Sequence, residues 1–164
     1  MARITVNSPV GPLSITCENG AIVGLSFNKV PGTGLYHTDR DNPYPQQDLL
    51  LLDLVSDQLE EYFSGKLRRF SLPIFLLGTD FQRQVWQKIS EIPYGCTYTY
   101  TQIATAIGSP TARRAVGRAC AANPIAIVVP CHRVVGTNSL GGYGGGLPAK
   151  KWLLTLERIG SPPP

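Results

Sequence analysis

Alternating apolar and polar positions fill most of the first 27 residues of the chain. Three short β-rich runs, at residues 3–7, 13–17 and 22–27, are separated by turn-forming residues. Asn19 and Gly20 lie between the second and third runs, and an Asn-Gly pair is a strong signal for a tight hairpin. The pattern predicts a three-stranded antiparallel sheet.

A helical pattern follows at residues 46–64, after a stretch without periodicity at 31–45 that predicts a loop. Four apolar residues recur on one stripe at helical spacing: Leu52, Val55, Leu59 and Tyr62. Gly65 stands in the usual position for ending a helix. Residues 69–73 are a candidate for one further short strand. We therefore expect a small sheet packed against one helix.

The hydrophobic pattern becomes helical after Gly78. Thr79 and Gln82 have capping-box spacing, and the helix they begin carries its apolar face on Phe81, Val85, Ile89 and Ile92. A short helix is predicted at residues 101–107. A second is predicted from Ser109 as cap and Pro110 as first helical residue to about Ala122. Two short helices joined by a tight turn form a helix-turn-helix unit.

Charge is divided unevenly between the two halves. Residues 1–78 hold six Lys/Arg and eight Asp/Glu, a net of −2, whereas residues 79–164 hold nine and three, a net of +6. A basic half suggests a polyanionic partner such as nucleic acid. No apolar stretch is long enough to span a membrane, and the N-terminus lacks a signal-peptide core, so we expect a cytoplasmic protein.

The four cysteines are Cys17, Cys96, Cys120 and Cys131, and the two histidines are His37 and His132. None of the cysteines forms a C-x-x-C pair. We therefore expect neither a structural metal site nor a disulfide framework. Free, mostly buried thiols are the simplest interpretation for three of the four.

The second helix of the predicted helix-turn-helix unit is thin and basic. Its inward positions are Ala112, Ala115, Val116, Ala119 and Cys120, and its outward positions are Arg113, Arg114, Gly117 and Arg118. Small residues allow close approach to a duplex, and arginines can reach phosphates or enter the base stack. A solvated surface helix would show the same pattern, so the helix alone does not decide between the two.

The segment around Cys131 carries the strongest chemical signal. A β-rich run at residues 125–129 ends at Pro130, which cannot donate to a sheet, so a thiol at a rigid strand's end is predicted. In an extended chain His132 would point to the opposite face, which makes a water bridge to Cys131 easier than a direct bond. Glu157 is the only acid after Glu91 and would complete a relay. The alternative is a buried thiol beside a core histidine.

The sequence Pro130-Cys131-His132-Arg133-Val134 resembles the active-site signature of the O6-alkylguanine-DNA alkyltransferase family. The similarity extends over residues 79–160. It includes Phe81-Gln82-Arg83-Gln84-Val85-Trp86, Pro93-Tyr94-Gly95, Tyr100-Thr101-Gln102-Ile103-Ala104, Ala115-Val116-Gly117, Asn123-Pro124 and Trp152-Leu153-Leu154. Residues 8–13 are also similar to the first hairpin of that family.

The resemblance implies an α+β fold with two domains. Residues 1–78 would form a ribonuclease H-like sheet and helix, and residues 79–164 a helical, winged-helix-like domain with the helix-turn-helix unit. It also implies DNA repair by stoichiometric, self-inactivating transfer of the alkyl group of O6-alkylguanine to Cys131, without a cofactor. O4-alkylthymine is a further candidate substrate. The expected partner is double-stranded DNA, bound by a monomer, with cooperative loading left open.

The same resemblance implies a role for each site residue. Cys131 would accept the alkyl group, and His132 and Glu157 would activate it through a water. Asn123 would hold the turn before the acceptor, and Tyr100 would help to protonate the leaving guanine. Arg114 would enter the base stack. Other expected DNA contacts are Tyr100, Thr101, Gln102, Arg113, Ala115 and Arg118, and the expected pocket residues are Val134, Tyr143 and Gly144.

Two other functions are compatible with parts of the sequence. A helix-turn-helix sensor of alkylated DNA would bind without repairing, but sensors of this kind replace the acceptor cysteine, and Cys131 is present. A cysteine hydrolase would use the thiol repeatedly and would need an oxyanion hole, and that function leaves the basic helix unexplained.

This chain departs from the family pattern at one position. It has Gly144 where some relatives have a serine that hydrogen-bonds the guanine oxygen.

Overall fold

The computed structural model describes residues 1–28 and 44–164, so most of the loop expected at 31–45 lies outside the described residues. Strands β1 (Ala2–Val6), β2 (Leu13–Glu18) and β3 (Ala21–Phe27) form an antiparallel sheet in the order β1-β2-β3. Asn19 and Gly20 both have positive φ, as the two central residues of a type I′ hairpin turn require. The predicted three-stranded sheet is confirmed.

Helix α1 (Gln46–Phe63) packs on this sheet through the predicted apolar stripe, whose four members are all buried. Its first turn is tied to the hairpin because the Gly20 N–H donates to the Asp48 carboxylate at 2.7 Å. Gly65 follows the helix with φ +80°, and a Cβ there would lie 2.5 Å from the carbonyl oxygen of Gly160. A glycine is therefore required where the first half of the chain meets the end of the second.

The short strand expected at residues 69–73 is wrong. The described backbone at 69–73 forms no ladder, and a single bridge to the sheet follows directly after it, between Ile74 and Ile22. The Ile22 N–H donates to the Pro73 carbonyl at 2.8 Å and the Phe75 N–H donates to Ile22 at 2.9 Å. Pro73 has no N–H to extend the ladder in the other direction, which limits the contact to a single bridge.

The second half of the described chain is mainly helical. Its helices are α2 (Asp80–Ser90), α3 (Tyr100–Ala106), α4 (Arg113–Ala121) and α5 (Leu147–Ile159). Thr79 and Gln82 form the predicted capping box of α2. Helices α3 and α4 contact each other and α2, which confirms the helix-turn-helix unit. Strand β4 (Tyr98–Thr99) pairs in parallel with β5 (Val134–Val135). Among the described helices, none combines the length and apolarity of a membrane span.

Helix α4 begins later than the sequence predicts. Its first residue is Arg113, and Ala112 precedes it without a side-chain cap. The Ala112 N–H donates to the carbonyl of Ser109 at 2.9 Å, so residues 109–112 form a separate tight turn. Proline is favoured at the second position of such turns, and Pro110 occupies that position rather than the first turn of the helix.

The buried strand expected at residues 125–129 is also wrong. The Ala126 N–H donates to Leu25 of β3, but the chain then reverses at Ile127, whose φ is +70°. This value is unusual for a β-branched residue and marks local strain. The chain before Cys131 is therefore a compact turn, not a strand, and it continues as a 3-10 turn, Cys131–Arg133.

Candidate active site

Cys131 lies in the 3-10 turn with its side chain almost buried, at 7% exposure. The side-chain amide of Asn123, just after α4, approaches the Cys131 Sγ at 3.2 Å. The same amide donates to the Val129 carbonyl at 2.8 Å, and its oxygen accepts the Ile125 N–H at 3.0 Å. Asn123 thus fixes the turn that precedes the thiol, in the position the sequence analysis expected for it.

Burial is the main influence on the Cys131 thiol and raises its pKa, because a buried charge is poorly solvated. The Asn123 amide and the ammonium of Lys150 act in the opposite direction by stabilising the thiolate. Burial prevails, so the resting group is a thiol. A nucleophilic role therefore requires a base to take its proton.

His132 and Glu157 form the expected pair, with Nε2 of His132 2.8 Å from Oε1 of Glu157. Both side chains are buried, and Glu157 comes from α5. Burial opposes ionisation of Glu157, but hydrogen bonds from His132 and Arg133 prevail and lower its pKa to about 2. The carboxylate is therefore ionised, so the Nε2–H of His132 is the donor.

The remaining nitrogen of that imidazole, Nδ1, is buried and makes no hydrogen bond within the described part of the chain. Burial lowers the pKa of His132 despite the nearby carboxylate, which favours the neutral ring at physiological pH. With Nε2 protonated, Nδ1 carries the lone pair. The pair therefore offers an unprotonated base next in sequence to the thiol.

Two further donors to Glu157 were not identified from the sequence. Arg133 donates Nε–H to Oε2 at 2.9 Å and an Nη2–H to Oε1 at 2.8 Å, and Tyr62 donates its hydroxyl to Oε1 at 2.7 Å. Arg133 belongs to the recognised motif, so its position was a signal. Tyr62 lies 95 residues away and looked like an ordinary core residue of α1.

Lys150 is a buried cation that the sequence analysis also missed. Its ammonium is fully buried and donates to the carbonyl oxygens of Val134 at 2.6 Å, Leu140 and Gly142 at 3.1 Å. It also lies 5.9 Å from the ring centroid of Tyr100. One signal was available, because residue 150 shares a helical face with Leu153 and Glu157, and a lysine is unusual at such a position.

A cavity of about 590 Å³ opens between Cys131 and the helix-turn-helix unit. Its lining includes Tyr100, Thr101, Arg113, Arg114, Tyr143 and Gly144, as expected for site residues. Three other expected residues, Gln102, Ala115 and Arg118, do not line it. Gln102 instead completes the capping box of α3. Val134 is buried behind the cavity and offers its carbonyl to Lys150.

Tyr143 forms a wall between this cavity and a smaller one of about 180 Å³. Its ring packs edge-on against Phe27 of β3, with centroids 5.4 Å apart, and lies 6.4 Å from the His132 ring. Cys131 lines both cavities. The thiol is therefore reachable from the side of the basic helix and has a second space behind it, towards the sheet.

These features define a helix-turn-helix protein with a buried cysteine beside a buried histidine–glutamate pair. Two family models match the chain, the 6-O-methylguanine DNA methyltransferase ribonuclease-like domain over residues 1–76 and the DNA binding domain of the same name over residues 80–159. The chain therefore belongs to the 6-O-methylguanine DNA methyltransferase family, as the sequence motifs indicated.

Individual relatives agree with this assignment. A methylated-DNA–protein-cysteine methyltransferase of Mycobacterium tuberculosis is 43% identical over 159 residues, covering 96% of this chain and 93% of the relative. One of Methanosarcina barkeri is 43% identical and covers 93% and 94%. The crystal structure of the Mycobacterium tuberculosis OGT in complex with DNA superposes with a TM-score of 0.82, at 41% identity, over 96% of this chain and 93% of that one.

Proposed function

We propose that this chain repairs DNA by moving the alkyl group of O6-alkylguanine onto Cys131, which is consumed. The names of the similar proteins support this activity. The observation that carries it is the cavity of about 590 Å³, which joins the Cys131 thiol to Arg113 and Arg114 of α4. A nucleotide turned out of a duplex held on α4 would enter this cavity.

The thiol would be activated by the neighbouring relay. Cys131 gives its proton, through a bridging water, to Nδ1 of His132, and Glu157 stabilises the resulting imidazolium across the 2.8 Å bond. The sulfur then bonds to the alkyl carbon while the bond from that carbon to the guanine oxygen breaks. The product is a thioether, which this site has no means to hydrolyse, so each chain acts once.

Tyr100 would supply the proton that the departing guanine needs. The Tyr100 ring lines the cavity, and burial raises the pKa of its hydroxyl. The hydroxyl therefore keeps its proton until the departing guanine takes it. The proton released to His132 returns to Tyr100 through solvent, which balances the reaction. Tyr143 and Gly144, which line the cavity, would border the base and the alkyl group. Val134 would belong to the pocket only through its main-chain carbonyl, which holds Lys150 behind the cavity.

DNA would be held mainly through its backbone. Arg114 fills the gap in the base stack, and other contacts come from Thr101, Gln102, Arg113, Ala115 and Arg118. All three arginines of α4 are exposed. Binding is then largely independent of sequence and weakens as salt increases, because phosphate contacts release counterions.

The finer organisation is proposed with the activity. The two domains divide at residue 78, a division that the ranges of the two family models support. The protein acts as a cytoplasmic monomer, either singly or cooperatively along DNA, and its substrate is alkylated double-stranded DNA. O4-alkylthymine is a second substrate candidate because the reaction is again displacement at an alkyl carbon.

Intact-mass analysis tests the proposal. The wild-type chain is mixed with an excess of duplex containing O6-methylguanine, and we expect the gain of one methylene per chain, mapped to Cys131. Cys131→Ser should gain nothing, whereas Cys96→Ser, which removes an exposed free thiol, should behave like the wild type. Methylation of another residue, or transfer beyond one equivalent, would contradict the proposal. Repeated ester or peptide hydrolysis would favour a hydrolase instead.

A further inference from the structure

Tyr62 connects the first half of the chain to the relay in the second half. It lies near the end of α1, is fully buried, and donates its hydroxyl to Oε1 of Glu157 at 2.7 Å. Its pKa is raised well above the ordinary value, first by burial and then by the Glu157 charge, so the hydroxyl stays protonated and can only donate to the carboxylate. This buried hydrogen bond joins the two halves of the chain at the candidate active site.

The position of Glu157 does not depend on Tyr62 alone. Arg133 holds both carboxylate oxygens with two N–H groups, a geometry that fixes the plane of the group. Arg133 is in turn anchored by donation to the Ile92 carbonyl at 2.7 Å. The Tyr62 hydroxyl is therefore not needed to hold the carboxylate in position, and its effect lies elsewhere.

The carboxylate oxygen to which Tyr62 donates indicates the effect of its hydroxyl on the relay. Tyr62, His132 and the Nη2–H of Arg133 all donate to Oε1 of Glu157. Each donor draws negative charge on that oxygen towards itself, so the Tyr62 hydroxyl weakens the attraction of the oxygen for His132 beyond what Arg133 already does. A weaker partner makes the imidazole harder to protonate, which preserves the neutral ring that can accept the thiol proton.

We propose, on the basis of the function proposed above, that Tyr62 is a positioning residue of the relay. Its hydroxyl limits how strongly Glu157 favours the protonated form of His132. The N-terminal domain thereby sets the pH below which the chain loses its ability to activate Cys131. Removing the hydroxyl should make His132 more basic, and strengthening the hydroxyl as a donor should make His132 less basic.

Other charged and titratable groups surround the relay. Among the described residues, Arg133 is the one of these groups that also donates to Oε1 of Glu157. Those coupled electrostatically to His132, Glu157 or Tyr62 come from the 3-10 turn, from the loop after α2, from the loop before α5 and from α5 itself: Arg133, Tyr94, Tyr143 and Lys150. Cys131 precedes His132 in the 3-10 turn. Arg68 lies beyond them, 5.4 Å above the Tyr94 ring. The Tyr62→Phe substitution leaves all of these groups in place.

Titration of His132 by NMR provides the direct test. The chain has only two histidines, so imidazole signals can be assigned with His37→Gln. In Tyr62→Phe we expect the His132 midpoint to move to higher pH by about half a unit, the order expected for one neighbouring hydrogen bond. The acid limb of the single-turnover methyl-transfer rate should move in the same direction, since the neutral ring is the base.

Tyr94→Phe is the matched control. The Tyr94 ring packs edge-on against that of Tyr62, and its hydroxyl reaches the Leu156 carbonyl at 3.5 Å rather than Glu157. This variant should leave the His132 midpoint where it is in the wild type. An equal shift in both variants would mean that any lost hydroxyl perturbs the region, and the specific role of Tyr62 would be overturned.

A second variant keeps the test usable if Tyr62→Phe does not fold. Replacing Tyr62 by 3,5-difluorotyrosine preserves the ring and makes the hydroxyl a stronger donor, so the His132 midpoint should move to lower pH. No shift in this folded variant overturns the proposal. The result is independent of methyl transfer: a wild-type chain that never becomes methylated would refute the proposed function, while the titration would still report on Tyr62.

Discussion

The side-chain amide of Asn123 lies 3.2 Å from the Cys131 Sγ and 2.8 Å from the Val129 carbonyl oxygen, so both of its hydrogens are used. One of them holds the turn before the acceptor, and the other can stabilise the thiolate. The amide oxygen accepts the Ile125 N–H and completes the arrangement. A single side chain therefore couples the geometry of the turn to the reactivity of the thiol.

Substitution of Asn123 should affect both properties. In Asn123→Ala we expect methyl transfer to slow by roughly 10- to 100-fold and the free energy of unfolding to fall by about 1–3 kcal/mol, because a donor to a charged sulfur is lost and buried backbone groups lose their partners. Asn123→Asp should transfer more slowly still, since a carboxylate beside the sulfur raises the thiol pKa further. Single-turnover rates and urea unfolding measure the two effects.

An exposed asparagine supplies the control for this pair. Asn138 lies at the surface of the loop after β5, and Asn138→Ala should change neither quantity by more than the error of the measurement. If Asn123→Ala lost stability but transferred at the wild-type rate, its amide would hold the turn without assisting the thiolate.

Lys150 should influence the acceptor through charge and through the loop it anchors. Lys150→Met removes three hydrogen bonds to buried carbonyl oxygens and a cation that lowers the Cys131 pKa. We expect the thiol pKa to rise and transfer to slow by about tenfold or more, the loss that follows from one charge-assisted interaction. The pH dependence of Cys131 alkylation by iodoacetamide, followed by mass mapping, measures the change.

The neighbouring residue provides a closely matched comparison. Lys151 is exposed on the same turn of α5, so Lys151→Met removes the same net charge from the chain without touching the site. It should leave the Cys131 alkylation profile unchanged. Equal effects of the two substitutions would attribute the result to net charge rather than to the buried ammonium.

Local patterns were sufficient to predict much of this fold. The hairpin at Asn19-Gly20, the apolar stripe of α1 and the capping box at Thr79 each depend on residues close in sequence, and each is confirmed. One error, the start of α4, came from local turn chemistry at Pro110, and another occurred where tertiary contacts decide. Residues 125–129 have strand composition, but the bridge to Leu25 and the Asn123 side chain bend them into a turn.

The residues of the candidate site likewise divide into those that the sequence indicated and those that it did not. Cys131, His132 and Glu157 could be identified, because two are adjacent in a recognisable motif and the third is the last acid of the chain. Tyr62 could not, because only folding brings α1 against α5. The role of Lys150 was missed for another reason. A lysine side chain is usually solvated, and its charge alone does not indicate that carbonyl oxygens surround its ammonium.

The pH dependence of stability follows from the buried relay. Burial lowers the pKa of His132 below its ordinary 6.5. The unfolded chain therefore binds the proton first, and stability should fall as the pH drops below about 6.5 towards the lower folded value. Glu157 also contributes: its stabilisation is present above 4.5 and is lost as the pH falls towards about 2. Urea unfolding between about pH 8 and 3 follows the loss from His132 and the onset of the loss from Glu157.

Histidine substitutions distinguish these two losses. His132→Gln should remove the change in stability between pH 6.5 and the lower folded value, while His37→Gln should retain it. If His132→Gln kept the full slope below pH 6.5, the buried imidazole would not be its source.

Gly141 controls the position of Tyr100. Its φ is +72°, and a Cβ there would lie 2.5 Å from the Tyr100 hydroxyl and 2.8 Å from its ring. Gly141→Ala should displace Tyr100 and add about 1–2 kcal/mol of backbone strain. We expect methyl transfer to slow by about tenfold or more, as a proton donor moved from its place loses much of its contribution.

Gly11→Ala is the control for this last change, because Gly11 also has a positive φ, of +104°, and no atom lies within 4 Å of a Cβ at that position. It adds comparable backbone strain in the turn between β1 and β2 and should transfer methyl at close to the wild-type rate. Comparable rates for the two alanine variants, measured in single-turnover assays on O6-methylguanine duplex, would show that Tyr100 tolerates displacement and is not the proton donor.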